Sequence, residues 1–346
     1  MKILYIGHYS DGSTSKMRGE YLKKILNTEN VITINTDVPI LETARVFRSL
    51  GWRYKVGPLI SNINHYINLV VSQHEHFDLT WIDKGVFVRP EVVRTIRGKT
   101  TTLVHFTPDP AFTYHQSKLF YQAIPYYDHC ITTKSFELTH YRAHQAKSVI
   151  FCTQGYDPQL HKPYHGYEEK KGVVFVGHRE DDREEAISLL IEKRIPFKLA
   201  GIHWGKLAGR YKNYSTFEYY GQGIYGDSYA RLLSGSLMGL GFLSKIIPEK
   251  HTTRTFEIPA CGTALVTEKN EEIQAIYEND EAIFFDDCQD LVQKVLFGYR
   301  HSEYLQSITQ QGHQKVSLGL YDYESILRKI LSQINVSNFE NKLSQP

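Results

Sequence analysis

The chain is poor in most features that would fix its class at once. It has only four cysteines, Cys130, Cys152, Cys261 and Cys288, in 346 residues. They lie far apart with no CxxC or zinc spacing, which argues against a disulfide framework or structural zinc and for reduced, mostly buried thiols in a cytoplasmic protein. Neither charge sign dominates: 40 basic and 38 acidic residues leave a net charge of +2, so no nucleic-acid partner is expected and any attraction for anions must be local. No apolar run approaches the roughly 20 residues of a membrane span, and the apolar stretch in MKILYIGHYS is too short for a secretory signal. Metal signatures are missing too. His140 and His144 lack the glutamate of HExxH, His74 and His76 flank Glu75 with no third ligand nearby, and Asp181 and Asp182 are adjacent where metal-dependent transferases have Asp-x-Asp. Neither a metal nor a cofactor is expected.

What is present is a regular alternation of short β-branched runs and longer segments of helical period, the pattern of parallel sheets covered by helices. Strands are predicted at Lys2–Ile6, Val31–Asn35, Leu79–Ile82, Thr101–Phe106, Asp128–Thr132 and Ser148–Phe151. A second set follows at Val173–Val176, Lys198–Ala200, Phe217–Tyr220, Leu237–Phe242, Thr263–Thr267 and Ala282–Phe285. The fold class is α/β: two doubly wound, Rossmann-like domains facing a central cleft. The division is residues 1–155 as the N-terminal domain, 156–171 as a linker and 172–322 as the C-terminal domain. The linker rests on the prolines and charges of GYDPQLHKPYHGYEEKK. A last helix over 323–336, with Ile326, Leu327, Ile330, Leu331 and Ile334 at helical spacing, is expected to pack on a domain surface, the N-terminal one being a candidate; residues 337–346 read as a polar tail.

The richest stretch is HTTRTFEIPACGTALVT, residues 251–267. It reads as a polar loop, a short helix capped by Thr252 or Thr253, a stop at Gly262 and an apolar strand. Such a helix start, with Thr253, Arg254 and Thr255 in front, is a seat for an anion. Glu249 and Glu257 bring two carboxylates to the same place, and the combination suits a sugar joined to a nucleotide diphosphate. A similar strand-to-helix step at Gly177, His178, Arg179 and Arg183 presents amides and guanidiniums. Arg254 has a structural salt bridge as its alternative role, and Arg183 an ion pair with Glu180 or Asp182. The 24 tyrosines and 17 phenylalanines suit stacking on sugars or bases as well as core packing.

RTFEIPACG, with VVFVGHREDDREEA before it and GYRHSEYLQSITQQGHQKV after it, resembles the CgeB-like (spore maturation protein) group of GT-B glycosyltransferases, of the glycosyl transferases group 1 type. The likeness is best from about Val173 to Leu331. It continues upstream in FDLTWIDKGVFV, HFTPDP, DHCITT and CTQGYDPQLHKP. The resemblance implies that Glu257 bonds the ribose hydroxyls of the donor and Glu249 the donor sugar, roles suited to acceptor-only carboxylates. Arg254 would meet the pyrophosphate. The loop GHYSDGSTSKMRG, which lacks GxGxxG, would bend over donor phosphates or acceptor with Gly12 and Ser13 supplying amides, or be simply flexible. His105 and Asp109, at the end of a strand, would project catalytic groups, although Asp109 before Pro110 also fits a plain turn.

Arg45 to Val71 mixes Arg45, Arg48, Arg53 and Lys55 with Phe47, Trp52, Tyr54 and Tyr66. It suits either an anionic membrane surface, giving peripheral membrane contact through the N-terminal domain, or a helix with its apolar side in the core. The expected activity is metal-independent transfer from a UDP, GDP or dTDP sugar to a saccharide, lipid-linked or small-molecule acceptor. The Glu pair favours retention; inversion with Asp109 as base stays open. A nucleotide-sugar epimerase of the same architecture and a nonenzymatic nucleotide-binding protein are the alternatives.

Overall fold

A computed structural model describes residues 1–336; the tail read at 337–346 lies outside the described residues. The chain divides into two compact units. The first is Met1–Thr153 with the stretch from Glu324 onward, and the second is Gln154–Tyr323.

The first unit holds β1 (Ile3–Gly7), β2 (Val31–Asn35), β3 (Phe77–Asp83), β4 (Thr100–Thr107), β5 (His129–Thr132) and β6 (Val149–Phe151). They form one sheet in the order β2-β1-β3-β4-β5-β6, every pairing parallel. Side chains alternate across the sheet as period two demands. Leu4 and Ile6 join a cluster on one face, while Ile3 and Tyr5 join Trp81 and Leu22 on the other. Strands buried on both sides read as continuous apolar runs, which makes β1, β3, β4 and β5 visible in sequence, while the edge strands β2 and β6 are only partly covered.

Four helices of this unit matter below: α1 (Thr14–Leu26), α2 (Asp37–Glu42), α3 (Arg45–Tyr54) and α4 (Pro58–Ser72). Ser13 starts α1 by accepting a hydrogen bond from the Lys16 amide, and Asn27 stops it in the left-handed region at φ 46°. The last helix, Tyr323–Gln333, packs Ile326, Leu327, Ile330 and Leu331, with Ile334 just after it, against Ile3, Tyr5 and Trp81. Each such side chain contributes about 2 kcal/mol on burial.

The second unit repeats the plan with β7 (Val173–Val176), β8 (Phe197–Ala200), β9 (Phe217–Tyr219), β10 (Met238–Gly241), β11 (Ala264–Glu268) and β12 (Ile283–Phe285), again all parallel, in the order β12-β11-β10-β7-β8-β9. Residues 156–171 contain one 3-10 turn, Tyr167–Glu169, and are built into this unit: Tyr156, Leu160 and Tyr164 join its core, and the Lys170 ammonium bonds the Ser234 carbonyl. In both sheets the strand order reverses once, between β1 and β3 and between β7 and β10, and ligands of doubly wound sheets gather beyond the carboxyl ends of strands at such points.

Candidate functional site

In the second unit, β7 delivers Phe175 to the core and is followed directly by Gly177. Gly177 serves a close backbone approach: a Cβ on Gly201, which sits at φ +138°, would fall 1.9 Å from the Gly177 carbonyl oxygen. The Trp204 indole N–H closes the corner by donating to the same carbonyl at 2.8 Å.

The neighbouring helix Asp181–Glu192 does not offer the anion seat its sequence suggested. Asp181, Asp182 and Glu184 occupy its first turn and already complement its positive end. Arg179 is held by Asp181 at 2.6 Å and by Glu184. Arg183 is buried and pairs with Glu180 at 2.8 Å, donating also to the His178 carbonyl at 3.1 Å. Burial pushes the Arg183 pKa down, against the pull of Glu180 and with the help of Arg254. Glu180 in turn accepts from the His178 ring at 2.9 Å and from the Lys245 amide at 2.9 Å. Burial works to raise its pKa, but the Lys245 amide and Arg183 hold it below the usual range. These charges neutralise one another, although the Arg183 Nε itself is buried without a hydrogen-bond partner.

The helix Arg254–Ala260 differs. It has seven residues, Thr253 is already helical and makes no side-chain cap, and the capping expected of Thr252 or Thr253 is replaced by Thr255 Oγ1, which accepts from the Thr252 amide at 3.1 Å. The amides of Thr255, Phe256 and Glu257 bond back to Thr252 and Thr253 carbonyls. So short a helix, with its first turn closed on itself, adds little field, and attraction for an anion rests on Arg254. Its guanidinium lies 5.9 Å from the Phe175 ring centroid. Its Nε and the Thr252 Oγ1 are buried without hydrogen-bond partners. Among the described residues no carboxylate pairs with it.

Glu257, one turn along, keeps its side chain 12 % exposed. It accepts from Tyr229 Oη at 2.7 Å and stands 3.8 Å from His161 Nε2. Burial first, then the Glu257 charge, raises the Tyr229 pKa well above its ordinary value. Glu249 lies half-buried on the incoming loop, its amide bonded to the Ile247 carbonyl at 2.7 Å. That loop is fixed by His251, which sequence reasoning passed over: its Nδ1 meets Glu272 at 2.8 Å and its Nε2 accepts from the Gln154 amide at 3.0 Å.

The first unit carries a pocket at its own switch point, lined by Ile6, His8, Asp83, Lys84, Trp52, Phe87, Asp109 and His115 among others. Asp109 lies in it, paired with Lys84 at 2.7 Å and 3.7 Å from His115. Burial acts to raise the Asp109 pKa, but the Lys84 charge and hydrogen bond hold it below the usual carboxylate range. His8, directly after β1, has its Nδ1 2.5 Å from Asp37, which also accepts from Ser10. His8, Asp37, Lys84 and His115 were not read from sequence; for His8, Asp37 and Lys84 their place just past strand ends was the available signal, whereas His115 sits in the longer turn after β4.

His105 is a core residue. It is fully buried, stacked on Phe120 at 4.3 Å, with Nε2 3.0 Å from the Lys84 carbonyl oxygen. Burial pushes its pKa down to about 4. Gly12 sits at φ +79° in open space, whereas the Ser13 hydroxyl is engaged at the start of α1 and donates to the His8 carbonyl at 3.0 Å. His140 and His144 pack around Phe112 at 5.3 and 5.2 Å.

Residues 179–332 match a protein family described as Glycosyl transferase-like. Among solved structures the chain is similar to sucrose-phosphate synthase from Thermosynechococcus elongatus, with a TM-score of 0.71, 13% identity, and 99% of this chain and 100% of that one covered. It is also similar to HepE from Anabaena in complex with UDP, with a TM-score of 0.68, 12% identity, and coverage of 97% and 100%. An α,α-trehalose-phosphate synthase (UDP-forming) from Burkholderia vietnamiensis gives a TM-score of 0.64 at 11% identity, with 99% of each chain covered. At such identity the likeness gives the fold, which is GT-B. No curated protein sequence matches the chain. A glycosyltransferase domain on this fold makes the chain an enzyme of the glycosyltransferase class.

Proposed function

We propose that this glycosyltransferase moves a sugar from a nucleotide-diphosphate donor held by the second unit to a hydroxylated acceptor held in the first-unit pocket. The observation that carries the reading is Arg254: a half-buried guanidinium over Phe175 with an unpartnered Nε, two residues after Thr252, whose hydroxyl is also buried without a partner. A buried cation left without an anion is costly, and a pyrophosphate offers it the charge and the acceptors it lacks.

Leaving-group departure would develop negative charge on the β-phosphate, and Arg254 stabilises that charge without a metal ion. Glu257, oriented by Tyr229 and His161, takes the ribose hydroxyls, and Glu249 on the adjoining loop takes the donor sugar. The spacing of this pair supports retention of anomeric configuration. Asp109 fits a base poorly, since Lys84 holds it in the ionised, weakly basic form. HepE has been determined with UDP, with UDP and glucose, and with UDP-glucose, which makes UDP-glucose the first donor to try. The CgeB-like affiliation is our finer reading and rests on the RTFEIPACG and VVFVGHREDDREEA segments.

The test is a thermal-shift panel of UDP, GDP, dTDP and CMP compounds, followed by incubation of the stabilising sugar nucleotide without acceptor. A ligand at about a hundred times its dissociation constant adds about 2.7 kcal/mol. Stabilisation by a nucleoside diphosphate with slow release of free sugar, unchanged by a chelator, is expected. An epimerised sugar nucleotide, or binding with no turnover across varied acceptors, would overturn the assignment.

A further inference from the structure

The helix α3 is exposed at nearly every position; only Gly51 is fully buried. It lies close on α4, since a Cβ on Gly51 would sit 2.6 Å from the Cβ of Leu59. Trp52 packs edge-on against Phe87, with ring centroids 4.6 Å apart. Its other apolar residues meet nothing that hides them. Val46 is 69% exposed and Tyr54 60%, with Phe47 and Leu50 exposed between them. At the helical period Val46, Phe47, Leu50 and Tyr54 fall within about 100° of arc, an unpartnered apolar stripe. Val56 extends it past the helix end.

Charge in this region has one sign. From Thr43 to His74 there is no aspartate or glutamate, while Arg45, Arg48, Arg53 and Lys55 all fall on or beside α3. Among the described residues none of the four makes an ion pair, but Lys55 turns back to donate to the Trp52 carbonyl and lies over the Trp52 and Phe87 rings, which leaves Arg45, Arg48 and Arg53 for a partner. A strand of nucleic acid would engage the guanidiniums but leave Val46, Leu50 and Val56 in water. An anionic bilayer takes both, the stripe entering the acyl boundary with Arg53 at its edge while the long side chains of Arg45 and Arg48 reach round the helix to headgroup phosphates.

We propose that α3 is a membrane-surface helix that docks the first unit on bilayers containing anionic phospholipid. The docking does not depend on the glycosyl transfer reading. It needs no membrane-crossing segment, and among the described residues no helix is long and apolar enough to be one.

Sedimentation of the full chain with vesicles of phosphatidylcholine mixed with phosphatidylglycerol tests this, with pure phosphatidylcholine vesicles as comparison. Binding to the mixed vesicles that weakens with salt is expected. Neutralising Arg45, Arg48 and Arg53 to Gln should lower the partition coefficient about fivefold per charge. Leu50→Ser should lower it about tenfold through lost apolar burial. All four positions are exposed or half-buried, so thermal unfolding and nucleotide binding should not change. No binding to mixed vesicles at low salt overturns the proposal, as does binding that Leu50→Ser leaves intact. A second copy as the true occupant would appear as a concentration-dependent dimer that Leu50→Ser dissolves, and would overturn it equally.

Discussion

Two arginines, one in each unit, lean over an aromatic ring from a central strand and have opposite electrostatic fates. Arg18 in the first unit lies 4.6 Å from the Phe106 ring and reaches both oxygens of Asp83, at 2.7 and 3.1 Å. Asp83 also accepts from Tyr5 Oη at 2.9 Å, so the buried charge is enclosed in a complete network. Arg254 in the second unit lies 5.9 Å from Phe175 and has no carboxylate among the described residues. Taking a guanidinium out of water is unfavourable by several kcal/mol unless an anion meets it. The first arrangement is closed and holds the fold together. The second is open, and an open buried cation is where a ligand completes the structure.

The contrast can be broken from either side. Arg18→Met leaves Asp83 buried without its counter-ion, and removing one member of such a pair lowers stability by about 3–5 kcal/mol. Urea unfolding of the first unit should show that loss, while the nucleotide affinity of the folded protein stays unchanged. A loss of affinity instead would mean that Arg18 is not purely structural.

Arg254→Ala should do the reverse. Nucleoside diphosphate affinity should fall by about 2–3 kcal/mol, the range for losing a charge-assisted hydrogen bond, while nucleoside affinity barely moves and the unfolding midpoint of the ligand-free protein does not fall. Titration calorimetry with UDP and uridine separates the two. Equal losses for both ligands would remove Arg254 from the phosphate contact and close the contrast with Arg18.

The fold was legible because strands of covered parallel sheets leave short β-branched and apolar runs between helical segments, and each of the twelve appears within about two residues of its predicted ends, the partly covered edge strands β2, β6 and β9 included. The site was less so. Arg179, Arg183 and Arg254 look alike in sequence, each at or near the start of the helix that follows an apolar strand. What separates them is Glu180 and Glu184, which neutralise the first two, and the lack of any such partner for the third. The pairing of His8 with Asp37 spans 29 positions and depends on strands β1 and β2 lying side by side, which no local pattern reveals. His105 could have been read correctly. Period two along β4 puts it on the face of Leu103, opposite Val104 and Phe106, and that face is covered.

His105 also sharpens the rule drawn from the two arginines, because its Nδ1 is buried without a partner, as is Arg254 Nε. An unpartnered nitrogen alone therefore does not mark a site; a charge without a counter-ion does, since Arg183 Nε is equally unpartnered but its guanidinium has Glu180. A neutral imidazole among Phe120, Tyr127 and Tyr141 leaves one acceptor unused at modest cost, whereas a guanidinium cannot shed its proton. The difference is measurable through pH. The folded pKa of His105 is depressed to about 4 from 6.5, so between those values the unfolded chain binds a proton that the native protein does not. Stability is then full above the unfolded value and declines as the pH falls, by about 1.4 kcal/mol per unit across the window. His105→Leu removes that contribution. Urea midpoints of the first unit at two pH values one unit apart inside the window should therefore differ more for the native sequence than for the variant. An identical difference in both would mean that His105 carries a proton in the folded state, and it would then have to be grouped with the charged, ligand-ready residues it is set against.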